Sequence, residues 1–187
     1  MPKIQDLSDE KLVEYVRSQD QEQYREITNR YQRKLLRYAE SITKDKFLAQ
    51  DVVQQAFIKA FINLYSFNIK KKFSSWIYRI VHNEAINHLK KYKRELNLKH
   101  EHWQNLESND KSIEKSLIQK DKKEKLLAAL KELPVNYRAP LTLRYFDKKS
   151  YEEISNILKI PTGTVGTRIN RGKKELRQLF NRIYKGR

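Results

Sequence analysis

The sequence predicts an all-α fold of two small helical domains joined by a flexible linker, and three observations carry the prediction. Apolar residues recur in steps of three and four over most of the chain, the period of one helix face. The four glycines all lie beyond position 160, so the rest has few sites suited to tight turns. No stretch alternates convincingly between apolar and polar residues, as a half-buried strand must.

The elements follow in order. A short first helix is expected over Asp9–Arg17. Asp20 can cap a helix whose apolar stripe is Tyr24, Ile27, Tyr31, Leu35, Tyr38 and Ile42. Asp45 can cap the next, with Val52, Val53, Phe57, Ala60, Phe61 and Leu64 turned inward. Ser74 or Ser75 opens another, carrying Trp76, Ile77, Ile80, Val81, Ala85 and Leu89. Together they make a helical bundle over 1–95. The period fails in ELNLKHEHWQNLESNDKS (95–112), so a linker is placed at 96–119 and the two domains are expected to move independently.

Helicity resumes near Ser112 and runs to Leu133. Pro134 then suits the first turn of another helix, and Pro140 should bend that helix or lie early enough to do little harm. The second domain is 120–187. Within it, Ser150 and Glu153 form a capping box that starts a helix at Tyr151 and ends near Lys159. Ile160-Pro161-Thr162-Gly163 makes a corner, with Gly163 free to take positive φ. The final helix buries Val165, Ile169, Gly172, Leu176, Leu179 and Ile183 against Ile154, Leu158 and Ile160. Its other face presents Thr167, Asn170, Arg171, Lys174 and Gln178, donors long enough to reach base edges and phosphates. A basic pair of this kind is a helix-turn-helix with its recognition helix on the C-terminal side.

Charge agrees with that reading. The net charge is +17, and the excess is clustered. Residues 67–95 carry 8 basic and 2 acidic side chains, and residues 123–187 carry 16 and 6, while 96–122 is neutral. Two separate basic zones point to a polyanion, most simply nucleic acid. The first zone also supplies Phe67, Phe73, Trp76 and Tyr78 among Lys70, Lys71, Lys72 and Arg79. Unstacked bases need such π-faces beside cations, although some of these aromatics must belong to the core.

Other chemistries find little support. There is no cysteine, so disulfides and thiolate metal sites are excluded. His82, His88, His100 and His102 lack a zinc spacing, and no glycine loop could cradle a phosphate. No enzyme, metal or cofactor is therefore expected. The absence of a long apolar run or signal peptide predicts a soluble, cytoplasmic protein without membrane insertion.

SYEEISNILKIPTGTVGTRINRGKKEL (150–176) resembles the fourth region of sigma-70-family factors of the extracytoplasmic-function (ECF) type, and LPVNYRAPLTLRYFDKKSYEEI (133–154) resembles the segment leading into it. DKFLAQDVVQQAFIKAFINLYSF (45–67) resembles the core-polymerase helix of the second region, and FSSWIYRIVHNEAINHLKKYKR (73–94) the helix that melts and reads the minus-10 element. The resemblance implies an initiation factor that binds core RNA polymerase, recognises a bipartite promoter and opens it.

It also assigns residues. Asp51, Gln54, Gln55 and Ile58 fall on the polymerase-binding face, with Gln55 where the family usually has Glu. The loop near Asn68–Lys72, including Lys71 and Lys72, falls where a flipped minus-10 base is held. Arg79, Asn83 and Asn87 contact the strand, and Lys90, Lys91, Lys93 and Arg94 its phosphates. Gly166, Thr167, Asn170 and Arg171 fall where family members meet minus-35 bases, with Arg168, Lys173 and Lys174 placed for phosphates. A polar or basic side chain is common where Gly166 stands, so one base contact is lost and readout leans on the others and on DNA shape. ECF factors are commonly held inactive by a membrane-linked anti-sigma protein, which makes an anti-sigma factor a further candidate partner. The rival reading, a stand-alone helix-turn-helix regulator, accounts for 150–180 but leaves the aromatic, basic first domain without a use.

Overall fold

The computed structural model describes residues 3–99 and 117–185. In the first half, helix α1 (Asp9–Ser18) leads into α2 (Tyr24–Thr43), α3 (Lys46–Ile62) and α4 (Phe73–Lys99). In the second, α5 (Leu117–Glu132), α6 (Val135–Tyr145), α7 (Tyr151–Leu158) and α8 (Thr162–Lys185) follow. No strand occurs among the described residues.

The helix starts obey local chemistry. Ser8 accepts from the amide of Lys11, Asp20 from Glu22 and Asp45 from Leu48. Each side chain satisfies an amide that has no partner inside its own helical turn. The capping box at α7 is complete, with Ser150 accepting from the Glu153 amide at 3.1 Å and Glu153 from the Ser150 amide at 2.8 Å.

One start differs from the sequence expectation. α4 opens at Phe73 rather than at Ser74 or Ser75, because the cap comes from another helix: the Phe73 amide donates to the Glu10 carboxylate of α1 at 2.9 Å.

The stripes pack as bundles. Ile27, Tyr31, Leu35, Tyr38 and Ile42 of α2 meet Val52, Val53, Phe57 and Ala60 of α3 and Ile77, Val81 and Ala85 of α4, all buried. Leu12, Val13 and Val16 of α1 close one side. Phe61, expected inside, is 41% exposed and meets Tyr24 edge-on at 5.0 Å. Ile58 and Ile62 are exposed on the same outer side, so α3 carries apolar residues on both faces.

In the second half, Ile154, Ile157, Val165 and Ile169 form the helix-turn-helix core with Leu141 and Leu143, while Ile183 lies 37% exposed. Gly172 lets α8 approach α6 closely: a Cβ there would sit 3.0 Å from Leu141 Cδ1 and from Tyr137 Cβ. The corner differs from expectation. Positive φ falls on Lys159 (56°), at the C-terminus of α7, and no described glycine has positive φ. Pro161 then precedes α8, and Gly163 lies within its first turn. Pro140 sits inside α6, which continues through it. Its missing amide forfeits the bond toward Asn136, an exposed position where water can serve.

Helix also reaches into the stretch assigned to a linker, since α4 runs to Lys99 and α5 is described from Leu117. The remainder of the linker, 100–116, lies outside the described residues.

The halves, expected to move independently, touch. Arg138 of α6 is buried, donating to the Ser41 and Ile42 carbonyls at the end of α2 and to the Lys131 and Leu133 carbonyls at the end of α5. A cation among helix C-terminal carbonyls meets the negative end of the helix dipole. Arg37 of α2 pairs with Asp147 in the turn before α7, and Lys149 donates to Ser74 Oγ at 2.8 Å while its ammonium lies 5.0 Å from the Tyr78 ring centre. These polar ties surround a continuous apolar cluster drawn from both halves.

Candidate nucleic-acid interface

The loop after α3 is built to be rigid. Its entry residue Phe67 is buried against Phe73 at 5.4 Å and Trp76 at 5.2 Å between ring centres. Arg17 of α1 fastens it from behind, donating Nε to the Leu64 carbonyl at 3.0 Å and Nη2 to the Phe67 carbonyl at 2.6 Å. Asn68 then folds the loop, its Oδ1 accepting from the Lys70 amide at 2.9 Å. On this floor lies a cleft of about 460 Å³ that gathers Asn68, Lys71, Lys72, Trp76 and Arg79.

Of the aromatics in this segment, Phe73 and Tyr78 are core, at 0% and 1% exposure. Trp76 is half-buried and lines the cleft, so it has a face to offer a base. Asn83, Asn87 and Lys90 are exposed farther along α4, outside the cleft. From Arg79, steps of four residues keep the asparagines on one helix face, rising about 6 Å each. Lys91 and Arg94 are also exposed, and the side chain of Lys93 lies outside the described residues.

On α8, Thr167, Asn170, Arg171, Lys173 and Lys174 are exposed, as a groove-reading face must be. The Thr167 hydroxyl donates to the Gly163 carbonyl at 3.0 Å, which leaves its oxygen as an acceptor. Two assigned residues are placed differently from the rest. Arg168 is half-buried and close enough to His82 of α4 to disfavour its protonation. Gly166 is half-buried too, and a Cβ there would touch the Tyr151 ring at 3.5 Å, so a side chain starts from the corner between α7 and α8.

Comparison with known proteins decides what carries these surfaces. Residues 27–95 match the model of sigma-70 region 2, and residues 123–176 match the model of sigma-70 region 4. The chain is 32% identical to the ECF RNA polymerase sigma factor SigW of Bacillus subtilis (strain 168) over 176 residues, covering 90% of this chain and 94% of that one. It is 34% identical to the ECF RNA polymerase sigma-E factor of Escherichia coli (strain K12) over 178 residues, covering 91% and 93%.

The chain belongs to the ECF sigma factors.

The fold agrees. The sigma factor RpoE of Bartonella quintana, solved with the anti-sigma factor NepR, superposes with a TM-score of 0.70 at 23% identity, covering 84% of this chain and 96% of that one. CnrH, solved with the cytosolic domain of CnrY, gives 0.69 at 21% identity, covering 92% and 97%. As a sigma factor, the protein is a transcription initiation factor that works with RNA polymerase and promoter DNA. Its relatives by sequence are sigma factors rather than enzymes. Among the described residues, no helix is long and apolar enough to cross a membrane.

The α3 surface of this sigma factor is separate from the cleft. Asp51, Gln54, Gln55 and Ile58 are all exposed, and Phe47 (78%) and Ile62 (70%) extend the same surface. Gln54 and Ile58 also border a groove of about 470 Å³ with Thr28, Gln32 and Leu36 of α2. Large exposed apolar residues interleaved with polar ones are the composition of a docking surface.

Residues that sequence reasoning passes over prove structural here. Arg17 and Glu10 position the loop and the start of α4, and Tyr38 shares a hydrogen bond with His82 Nδ1 at 3.0 Å. Burial, with Arg168 adding to it, pushes the His82 pKa down to about 4. The imidazole is therefore neutral at pH 7.

Proposed function

We propose that the sigma factor divides promoter opening among these three surfaces. The outer face of α3, through Asp51, Gln54, Gln55 and Ile58, engages core polymerase. The Asn68–Lys72 loop and α4, through Arg79, Asn83, Asn87, Lys90 and Lys91, capture the unpaired minus-10 strand. The α8 face reads the minus-35 duplex through Thr167, Asn170 and Arg171, with Lys173 and Lys174 on phosphates. Gly166 contributes no side chain, and Arg168 reaches phosphate only if it leaves its place beside His82.

The observation that carries the reading is the cleft, where Asn68, Lys71, Lys72 and Arg79 meet the open side of Trp76 on a floor held by Arg17. Such a combination of cations and an aromatic face suits unstacked bases and has no use in a stand-alone regulator of duplex DNA. The protein acts in the cytoplasm, where polymerase and promoters are, and an anti-sigma factor is a fitting regulator, since both solved relatives named above were captured with protein partners. The experiment is to add the chain to core polymerase with a random promoter library and sequence the transcripts that initiate. Enrichment of two upstream elements supports the reading. Duplex binding without any initiated transcript would favour the stand-alone regulator.

A further inference from the structure

The far wall of the cleft carries Glu152 and Glu153 of α7, whereas the near wall is the loop that leads into α4. Both ends of that loop are held by α1. At its entry, Arg17 reaches the Leu64 and Phe67 carbonyls, and its guanidinium carbon lies 5.9 Å from the Phe67 ring centre. Tyr65 returns the contact, its hydroxyl donating to the Arg17 carbonyl at 2.9 Å. At the exit, Glu10 accepts from the Phe73 amide at 2.9 Å. Glu10 and Arg17 stand seven residues apart in α1. Two helical turns place them on one face, about 10 Å apart along the axis. Their signs suit their tasks, because the acid meets the amide end of α4 and the cation meets carbonyls.

α1 does not need these two side chains for its own seat. Leu12, Val13 and Val16 bury it in the bundle at 1% exposure or less. Inside the loop the bonds are local: the Lys70 amide donates to Asn68 Oδ1 and the Lys71 amide to the Asn68 carbonyl, both at 2.9 Å. They close a turn without setting its distance from Trp76 and Arg79. Phe67 seats the entry on the core, and Glu10 and Arg17 fix the span between the two ends. Neither of the two lines the cleft.

We infer that α1 is a specificity brace: Glu10 and Arg17 are positioning residues that hold the Asn68–Lys72 loop and so determine how strictly it selects one minus-10 base. The inference rests on reading that loop as the seat of a flipped minus-10 base. A loop fixed before binding rejects a base that does not fit, whereas a loosened one adapts to several.

Initiation by the full chain with core polymerase tests this, on a random promoter library whose active templates are identified by a transcribed barcode. Arg17→Ala and Glu10→Ala should each lower discrimination at one minus-10 position by roughly tenfold. The other minus-10 positions and the minus-35 profile should stay as in wild type. Glu10→Gln keeps a carbonyl oxygen for the Phe73 amide and should retain the wild-type profile. Arg17→Lys should fall between, because one ammonium serves two carbonyls less well than a planar fork. Lower transcript yield with every base preference unchanged would mean a structural role only and would overturn the brace. Equal flattening of all minus-10 positions would overturn it too. A wild-type profile without any minus-10 preference would overturn the reading of the loop, and the brace with it. If circular dichroism shows Arg17→Ala unfolded, Glu10→Ala against Glu10→Gln decides: matching profiles contradict the brace, and relaxation in the alanine variant alone supports it.

Discussion

Arg138 of α6 donates Nη2 to the carbonyl of Ile42 at 3.2 Å, so a guanidinium from one half of the molecule closes a helix in the other. The same side chain serves the Ser41, Lys131 and Leu133 carbonyls, and burial pulls its pKa down without depriving it of charge at neutral pH. Arg138→Ala should therefore cost about 2–4 kcal/mol, because buried acceptors lose a charged donor together. Arg138→Lys should recover only part, since one ammonium cannot span four carbonyls. Urea denaturation of the full chain measures both.

The two buried or half-buried glycines of α8 should respond oppositely to alanine. Gly166→Ala places a Cβ in ordinary contact with Tyr151, and helix propensity favours alanine by about 1 kcal/mol. Gly172→Ala places one 3.0 Å from Tyr137 Cβ, which is fixed to the α6 backbone. Overpacking of that kind costs about 1–3 kcal/mol. Thermal unfolding should show Gly166→Ala at or above wild type and Gly172→Ala below it.

Local signals were readable because capping is a short-range pattern. Asp45, Ser150 and Glu153 act on amides three residues away, and the sequence shows both partners close together. The α4 cap is supplied by Glu10, 63 residues distant, and no local pattern could reveal it. Arg138 reads as one more cation in a basic zone, and its burial depends on helix ends that only folding brings together. The sequence offers Gly163 as the flexible corner residue, yet the left-handed position falls one turn earlier, on Lys159. For the candidate site, the exposed face of α8 follows from helical period, whereas that of α3 follows only in part, because Ile58, Phe61 and Ile62 place apolar residues outside as well. The half-buried placement of Arg168 and the acidic wall of the cleft do not follow from period, because both come from the other half of the chain.

His82 should make stability depend on acid. Its folded pKa of about 4 lies below the ordinary imidazole value of 6.5, so the unfolded chain binds more protons between those values. The contribution is complete above pH 6.5 and is lost as pH falls toward 4, to a total of at most about 3 kcal/mol. His82→Gln should flatten the fall in urea midpoint between pH 7.5 and 5. Equal slopes for both proteins would remove His82 as the cause.

Core binding should depend on the α3 face. Asp51→Ala with Gln54→Ala leaves the buried stripe untouched and should weaken affinity for core polymerase by about tenfold, or 1.4 kcal/mol. Helicity by circular dichroism should match wild type. Unchanged affinity would remove that face from the interface.

The most direct test of a divided promoter reader is a selection from a random promoter library with core polymerase and three proteins. Those are wild type, Arg171→Ala, and Arg79→Ala with Asn83→Ala. Arg171 can pair bidentately with guanine, worth about 1–3 kcal/mol of discrimination, so its loss should relax one or two minus-35 positions and leave the minus-10 consensus intact. The α4 variant should keep the minus-35 consensus and lose minus-10 preference. On duplex templates it should initiate poorly, with recovery on templates already open at minus-10. Both variants returning the wild-type consensus, or both altering the same element, would contradict the assignment of the two elements to the two halves.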